Sequence, residues 1–234
     1  MKIDNCKGVE YFSQYGQDEY LGETFFPQLD DGFFIEVGAD DGVDKSNTLF
    51  FEKKGWKGIC VEPSPTRFKR LENNRSCLCF NNAIHSHSGK MDFLDIDGYG
   101  KGLSGIVESY DPLHLDRIKQ ETSGNENTVY VKNIEVECRP LGDILREVGV
   151  KHVDYISIDV EGNELAVLQS IDFDEVIFDV FSIENNYEDL SIRRFLEGKG
   201  YLLFTRLEID DIYVSPKVFP PKKNLFLRLL TWFK

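Results

Sequence analysis

The chain has 234 residues, enough for one α/β domain with a buried core but short for two full domains. Its formal net charge is −14 and 41% of its residues are hydrophobic, which indicates a folded protein rather than a disordered one. The acidic excess argues against a nucleic-acid partner, because Lys and Arg contacts to phosphates supply most of that affinity. The five cysteines form no Cys-x-x-Cys pair, so we expect reduced structural thiols.

Apolar runs of strand length alternate with segments of helical spacing along most of the chain. After a polar lead-in over residues 1–20, strands are predicted at residues 33–37, 58–62, 77–80, 89–96, 129–138, 154–160 and 176–183. Helices are predicted at residues 47–54, from a cap at 64 or 66 to 73, and at 141–148, 164–171 and 191–199. Residues 201–206 and 211–214 are typical of a closing antiparallel pair. This order predicts an α/β protein with a three-layer, doubly wound, mostly parallel sheet and an antiparallel C-terminal strand.

One long segment, residues 98–127, interrupts this alternation because it is rich in glycine, serine and other polar residues. We predict an irregular loop there, either a lid over a functional site or a surface insertion. His114 lies inside this segment, and His87 lies shortly before it.

The loop after the first strand is glycine-rich and acidic, with the sequence Glu36-Val37-Gly38-Ala39-Asp40-Asp41-Gly42. Ligands of open α/β sheets bind beyond the carboxyl ends of the strands, so this loop is the first candidate site. Asp40 stands where a dinucleotide-binding turn favours glycine, and the loop carboxylates would repel a pyrophosphate. An NAD(P)-dependent oxidoreductase is therefore the disfavoured alternative. The loop suits a phosphate-free ligand with positive charge, such as S-adenosylmethionine.

Glu62 ends the second strand, close to the spacing at which an acidic side chain accepts the ribose hydroxyls of a bound nucleotide. The glycine-rich loop and this glutamate together favour a ligand that contains adenosine.

Longer blocks of the sequence resemble the FkbM-type methyltransferases. They are Ser13-Gln14-Tyr15-Gly16-Gln17-Asp18, residues 32–42, Ser46-Asn47-Thr48, Cys60-Val61-Glu62-Pro63 and residues 154–164. The resemblance implies a class I methyltransferase fold, S-adenosylmethionine as donor, and O-methylation of a sugar or another small hydroxyl compound. It also implies the donor-binding residues, which are Gln14, Tyr15, Gln17, Glu36, Gly38, Ala39, Asp40, Asp41, Gly42, Asn47, Glu62, Pro63, Asn82, Ala83 and Asp159.

A second hypothesis comes from the same blocks. The Ser-Gln-Tyr-Gly-Gln-Asp and Ser-Asn-Thr blocks also resemble Star-like proteins, which act in binding or trafficking. A non-catalytic module on the same fold is therefore the alternative to an enzyme.

Methyl transfer to a hydroxyl needs a group that positions the hydroxyl and accepts its proton. Asp159 and Glu161 flank the end of a buried strand beside the expected donor site, and we predict that they bind the acceptor and act as the base. His85 is a further catalytic candidate, with a solvent-facing loop histidine as the alternative.

A metal ion is a further prediction for the same edge of the sheet. Asp159, Glu184 and Asn185 form an acid, acid, asparagine set of the kind that holds Mg²⁺ in catechol-type O-methyltransferases. The alternative for Glu184 and Asn185 is a solvated loop or a helix cap.

Residues 217–234 form a basic tail with five basic and no acidic residues. As a helix, the tail would present Trp232 and Phe233 beside basic residues, which suits an interfacial membrane helix. Docking on its own domain or on a second subunit is the alternative. We therefore expect one methyltransferase domain over residues 1–216 in the cytoplasm, free or at a membrane surface. The first thirty residues show no apolar signal segment.

Overall fold

A computed structural model describes residues 2–4, 9–98, 101–110, 112–122 and 129–218. Its strands are β1 Lys2–Asp4, β2 Val9–Tyr11, β3 Phe33–Val37, β4 Lys57–Val61, β5 Leu78–Phe80, β6 Ala83–Ile84, β7 Gly89–Gly98, β8 Gly105–Ile106, β9 Val129–Arg139, β10 His152–Ile158, β11 Ile177–Glu184, β12 Leu202–Leu207 and β13 Asp210–Val214. Its helices are α1 Gln17–Thr24, α2 Leu49–Lys53, α3 Pro65–Asn74, α4 Pro112–Thr122, α5 Leu141–Val148, α6 Glu164–Gln169 and α7 Leu190–Gly198.

The main sheet has seven strands in the order β12-β13-β11-β10-β3-β4-β5. Neighbouring strands from β11 to β5 are parallel, whereas β13 runs antiparallel to both β11 and β12. The predicted doubly wound sheet with an antiparallel C-terminal strand is therefore confirmed. The strand order reverses between β3 and β10, which places a crevice at their carboxyl ends.

Helices cover both faces of this sheet, because alternate strand residues point to opposite sides. In β3, Ile35 and Val37 pack in a cluster with residues of α5, α6 and α7. Phe34 lies on the other face, in a cluster with Leu21, Phe51 and other residues of α1, α2 and α3. Each strand therefore contributes to two cores, as the predicted three-layer arrangement requires.

A second sheet of four strands, in the order β6-β9-β7-β8, was not predicted as a unit. Its centre is the antiparallel pair of β7 and β9, in which Gly89 faces Cys138 and Gly98 faces Val129. The two strands were predicted separately, but the pairing joins segments about forty residues apart that no short-range turn signal connects. Phe93 and Ile106 of this sheet line the pocket described below.

The prediction of an irregular loop over residues 98–127 is wrong for the described part of that segment. It contains the 11-residue helix α4, the strand β8 and two short 3₁₀ turns. His114 and Ile118, one helical turn apart, form the buried face of α4. The segment also contacts the pocket described below, because Ser109 Oγ donates to Oδ1 of Asn163, a residue that lines this pocket, at 3.0 Å. It is therefore more than a surface insertion.

Several predictions concern residues outside the described ranges. They include the amphipathic tail beyond residue 218 and Cys6. The four cysteines that the structure describes are free thiols, as predicted. The lead-in contains a short hairpin, β1 with β2, that was not predicted. In the described part of the chain, no helix has the length and apolar character needed to cross a bilayer.

Candidate active site

A pocket lies at the carboxyl ends of β3, β4 and β10, where the strand order reverses. Twelve of the predicted donor-binding residues line it, namely Gln14, Tyr15, Glu36, Gly38, Ala39, Asp40, Asn47, Glu62, Pro63, Asn82, Ala83 and Asp159. The structure thus brings together around one pocket residues that were predicted from two strand-end loops and the family blocks, and their contact with the donor stays a prediction.

The loop after β3 turns sharply at Gly38, which has a φ of +86°. A Cβ atom at this position would lie 1.8 Å from the carbonyl oxygen of Asp159, so a larger residue requires movement of the backbone. The amides of Gly38 and Ala39 both donate to the Val61 carbonyl at 3.0 Å. This glycine is therefore the point where β3, β4 and the end of β10 meet.

Asp40 adopts a left-handed conformation with a φ of +48°, which aspartate tolerates better than most residues other than glycine. Its amide donates to Glu62 Oε2 at 3.0 Å, and Glu62 Oε1 accepts from the Ser64 amide at 2.8 Å. Burial raises the pKa of Glu62 to about 7, although Arg67 at 3.9 Å opposes the rise. Glu62 thus joins two strand-end loops beside the pocket, and its contact with ribose stays a prediction.

Glu36 borders the pocket, but protein groups engage both of its carboxylate oxygens. Oε2 accepts from the hydroxyls of Ser46 at 2.8 Å and Thr48 at 2.7 Å, and Oε1 accepts from the Asn47 amide at 2.8 Å. The fully buried Arg75 guanidinium donates to Oε2 at 3.0 Å. Glu36 therefore shapes the loop of residues 36–42 after β3, which we call the donor loop. Sequence reasoning missed Arg75, since a lone arginine after a helix carries no local signal.

Asn47 presents an unsatisfied acceptor at the pocket. Its side-chain nitrogen Nδ2 donates to Ser157 Oγ at 2.9 Å, and its side-chain oxygen Oδ1 is buried without a hydrogen-bond partner among the described residues. Buried polar atoms are nearly always hydrogen-bonded, so a donor group of a bound ligand would satisfy this oxygen.

Three predicted donor-binding residues do not line the pocket. Gln17 donates to Asp210 Oδ2 at 2.8 Å and accepts from the Tyr15 amide, so its polar atoms fix the N-terminal segment. Asp41 Oδ1 accepts two amides within its own turn. Gly42 packs under the loop, where a Cβ atom would lie 2.6 Å from side-chain atoms of α3 and of the residue after it. These residues support the loop, which corrects their predicted role.

Three carboxyl groups converge at the floor of the pocket. One carboxylate oxygen each from Asp159, Glu161 and Glu184 lies within 4.8 Å of the others. Asp159 is open to the pocket but surrounded by protein on its other sides, and this burial, with Asp210 nearby, raises its pKa to about 7. Burial and mutual repulsion also raise the pKa values of Glu161 and Glu184. A bound positive charge would stabilise the ionised cluster.

The predicted magnesium set of Asp159, Glu184 and Asn185 is not assembled. Asn185 Oδ1 accepts from the Asp189 amide at 2.6 Å, and its Nδ2 donates to Asp211 at 2.8 Å. Its amide oxygen is used in the turn before α7, where Asp189 and not Asn185 is the helix cap. Glu161 takes its place beside the other two carboxylates.

His85 is not among the residues that line the pocket. Its Nδ1 lies 3.1 Å from Nδ1 of His87, and Ser86 contacts both rings at the surface. The two histidines share an exposed turn after β6, so the structure favours the solvent-facing alternative.

The opposite wall of the pocket comes from the segment that was predicted as a loop. Arg117 of α4 lies 3.7 Å from Glu161 Oε2 and donates to Glu121 at 2.8 Å. Gly102 and Ser104 also line this wall, and Ser104 Oγ accepts from the buried Arg67 at 2.5 Å. Sequence reasoning missed this wall because it did not recognise α4, whose polar flanks obscured its apolar spacing.

S-adenosylmethionine fits this pocket on three observations. The carboxyl groups of Asp159, Glu161 and Glu184 attract its sulfonium and ammonium charges. The acidic loop after β3 suits a ligand without phosphate groups. Asn47 Oδ1 offers a hydrogen-bond acceptor for a donor group of the ligand.

Comparison with known proteins identifies the family. The model of the methyltransferase FkbM domain matches residues 36–203. The chain is 27% identical to 2-O-methyltransferase NoeI of Sinorhizobium fredii over 180 residues, which cover 71% of this chain and 70% of that protein. It is 24% identical to Methyltransferase 1 of Beauveria bassiana over 199 residues, with 75% and 74% covered. The solved human methyltransferase 10 domain containing protein aligns with a TM-score of 0.41 at 12% identity, over 85% of this chain and 79% of that one.

The family match takes in the donor loop, the acidic floor, the whole four-stranded sheet and the main sheet except β13, the start of β3 and most of β12. It confirms the resemblance found in the sequence, and it favours methyl transfer over the dinucleotide-dependent alternative. The chain belongs to the FkbM methyltransferase domain family and is a class I methyltransferase whose methyl donor is S-adenosylmethionine.

Proposed function

We propose that the protein transfers a methyl group from S-adenosylmethionine to a hydroxyl of a sugar, a glycan or a related small molecule. The observation that carries this proposal is the cluster of Asp159, Glu161 and Glu184 at the pocket floor, which combines negative charge with candidate bases. An oxygen acceptor is supported by the name of one relative, the 2-O-methyltransferase NoeI.

The three carboxyl groups divide the work in this proposal. Bound S-adenosylmethionine supplies an activated methyl group on a positively charged sulfur. Asp159 and Glu184, which each place a carboxylate oxygen within 4.8 Å of the other's, provide negative charge that favours binding of a cation. Glu161, which lies 3.7 Å from Arg117 of α4, accepts the proton of the acceptor hydroxyl.

Polar groups on the acceptor side support a hydroxyl-rich substrate. Arg117 lines the pocket on the α4 wall and remains partly exposed. The N–H groups of a guanidinium donate hydrogen bonds to hydroxyl oxygens and would orient one hydroxyl of the substrate toward Glu161.

A calorimetric titration with S-adenosylmethionine, followed by a methyl-transfer screen of sugars and other hydroxyl compounds, tests the proposal. We expect donor binding that weakens in Asp159→Ala and Glu62→Ala, and transfer to at least one acceptor. The binding-module alternative predicts partner binding that survives both substitutions. Absence of donor binding at millimolar concentration would rule out the enzyme.

The proposal assigns the acidic floor to the donor cation rather than to Mg²⁺. It therefore predicts that activity is unchanged after dialysis against EDTA. Loss of activity, with recovery on addition of Mg²⁺, would instead assign a metal to Asp159, Glu161 and Glu184.

A further inference from the structure

His114 is a fully buried histidine on the acceptor side of the site, in the segment predicted from sequence as an irregular loop. Its ring stacks on Tyr110 at a centroid distance of 4.6 Å and an angle of 21°. Its Nε2 lies 3.3 Å from the Leu103 carbonyl oxygen, and its Nδ1 lies 3.2 Å from the Tyr187 hydroxyl. Contacts at both nitrogens and on one face hold the ring in one orientation.

The hydrogen-bond partners fix the roles of the two ring nitrogens. A carbonyl oxygen only accepts, so Nε2 carries a proton and donates to Leu103. The other nitrogen, Nδ1, lies 3.5 Å from Glu161 Oε2. Nδ1 is therefore the atom through which His114 meets the carboxylate.

Glu161 itself shows two signs of a constrained functional group. Its φ of +54° is left-handed, an uncommon and costly conformation for glutamate that surrounding contacts must maintain. Its Oε2 is buried and lacks a hydrogen-bond partner among the described residues, with His114 Nδ1 at 3.5 Å and the Arg117 guanidinium at 3.7 Å. Its Oε1 faces Gly102 on the pocket wall, where a Cβ atom would lie 3.8 Å away.

We infer that His114 is a positioning residue for Glu161, and this inference rests on the proposed function. His114 Nδ1 and the Arg117 guanidinium flank Oε2 on the α4 side, so that Oε1 is left to receive the acceptor proton. In the reaction the acceptor oxygen forms its bond to the methyl carbon while the carbon–sulfur bond breaks. The sulfur keeps that electron pair, and the hydroxyl proton passes to Glu161. Tyr187, through its hydroxyl, keeps the ring of His114 in place.

Steady-state kinetics on three variants test this inference. We expect His114→Gln to lower kcat by roughly 10- to 100-fold, because misplacing a reacting group by about 1 Å has an effect of this size. Tyr187→Phe, which removes only the hydroxyl, should lower kcat by about 2- to 10-fold. The Kd for S-adenosylmethionine should stay within about twofold in both, since neither residue lines the pocket. Lys119→Gln, on the exposed side of α4, is the matched control and should leave kcat unchanged.

A spectroscopic measurement tests the contact without turnover. In protein labelled with ¹⁵N-histidine, the His114 resonances are assigned by their loss in His114→Gln. Glu161→Gln should then shift the Nδ1 resonance while Nε2 keeps its proton.

Two results would overturn the inference while leaving the proposed function intact. One is an active wild-type enzyme in which His114→Gln and Tyr187→Phe match the Lys119→Gln control. The other is a fall in kcat that is matched by an equal loss of donor affinity, which would indicate a structural role alone. If His114→Gln does not fold, the kcat of Tyr187→Phe relative to Lys119→Gln decides. A wild-type protein that binds the donor but methylates no hydroxyl compound would overturn the proposed function and the inference together.

Discussion

Gly38 lies so close to the end of β10 that a Cβ atom on it would come within 1.8 Å of the Asp159 carbonyl oxygen. This contact joins the donor loop to the strand that carries the acidic floor of the pocket. Donor binding and the position of the catalytic carboxylates therefore depend on the same glycine.

Gly38→Ala is expected to displace the loop, because alanine must adopt a positive φ and avoid a backbone atom. We predict a loss of about 2 kcal/mol or more in the free energy of unfolding and at least tenfold weaker donor binding. Urea denaturation and calorimetry measure the two effects. Gly198→Ala is the matched control, since a Cβ atom there meets nothing within 4 Å. Equal behaviour of the two variants would contradict the role given to Gly38.

Arg75 is the central donor of the network that holds residues 46–48 against Glu36. Its guanidinium also bonds to the Gly42 carbonyl at 3.1 Å, and its side chain is fully buried. Arg75→Met leaves the Glu36 carboxylate without its buried cation, so we predict a loss of about 3–5 kcal/mol in unfolding free energy.

Arg70→Met, a change on the exposed side of α3, is the control for this experiment. It should alter the unfolding free energy by less than about 0.5 kcal/mol. A loss in Arg75→Met no larger than this would show that the network is dispensable.

The stability of the ligand-free protein should fall as the pH rises from about 4 to 7. The pKa values of Asp159 and Glu62 are raised to about 7 in the folded state, so the folded protein holds protons that the unfolded chain has released. Because the folded state binds more protons in this window, the unfolding free energy decreases with pH. Melting temperatures at pH 5.5, 6.5 and 7.5 measure the slope.

Amide substitutions separate this effect from the general repulsion of an acidic protein. Asp159→Asn and Glu62→Gln should each flatten the slope, while Asp92→Asn, on the exposed side of β7, should not. An identical slope in all three variants would contradict the assignment.

Donor binding should release protons near pH 6.5 and tighten toward pH 8. A cation in the pocket favours the ionised forms of Asp159 and its neighbours, and linkage then requires proton release on binding. Calorimetry in two buffers of different ionisation enthalpy measures the number of protons released. Binding that is independent of pH across this range would place the donor's charge away from the acidic floor.

Glu161→Gln and Asp159→Asn should affect different steps. Removing the base should lower kcat by about 100-fold or more while donor affinity is retained. Removing charge at Asp159 should chiefly weaken donor binding. Donor Kd and kcat measured on both variants test this division, and unchanged turnover in Glu161→Gln would remove Glu161 as the base.

Local patterns in the sequence were sufficient to predict the main sheet and the donor loop. The short apolar runs that became β3, β4 and β10 are buried on both faces, and parallel strands of this kind read as continuous hydrophobic segments. The loop after β3 was found because its glycines and carboxylates are contiguous.

What the sequence did not reveal depends on contacts between distant segments. The pairing of β7 with β9, the salt bridge of Arg75 to Glu36, and the approach of His114 to Glu161 each join residues tens of positions apart. Asn185 was misassigned for a related reason. A polar residue at a strand end has the same local signature whether it faces a ligand or hydrogen-bonds the turn that follows the strand.

The most direct test of the central claim is transfer of a labelled methyl group from S-adenosylmethionine to a panel of sugars and other hydroxyl compounds. Wild-type protein and Glu161→Gln are compared at equal, saturating donor concentration. We predict label on at least one acceptor oxygen with the wild-type protein and about 100-fold slower labelling with the variant. Bound donor without transfer to any hydroxyl, or equal rates for the two proteins, would contradict the account.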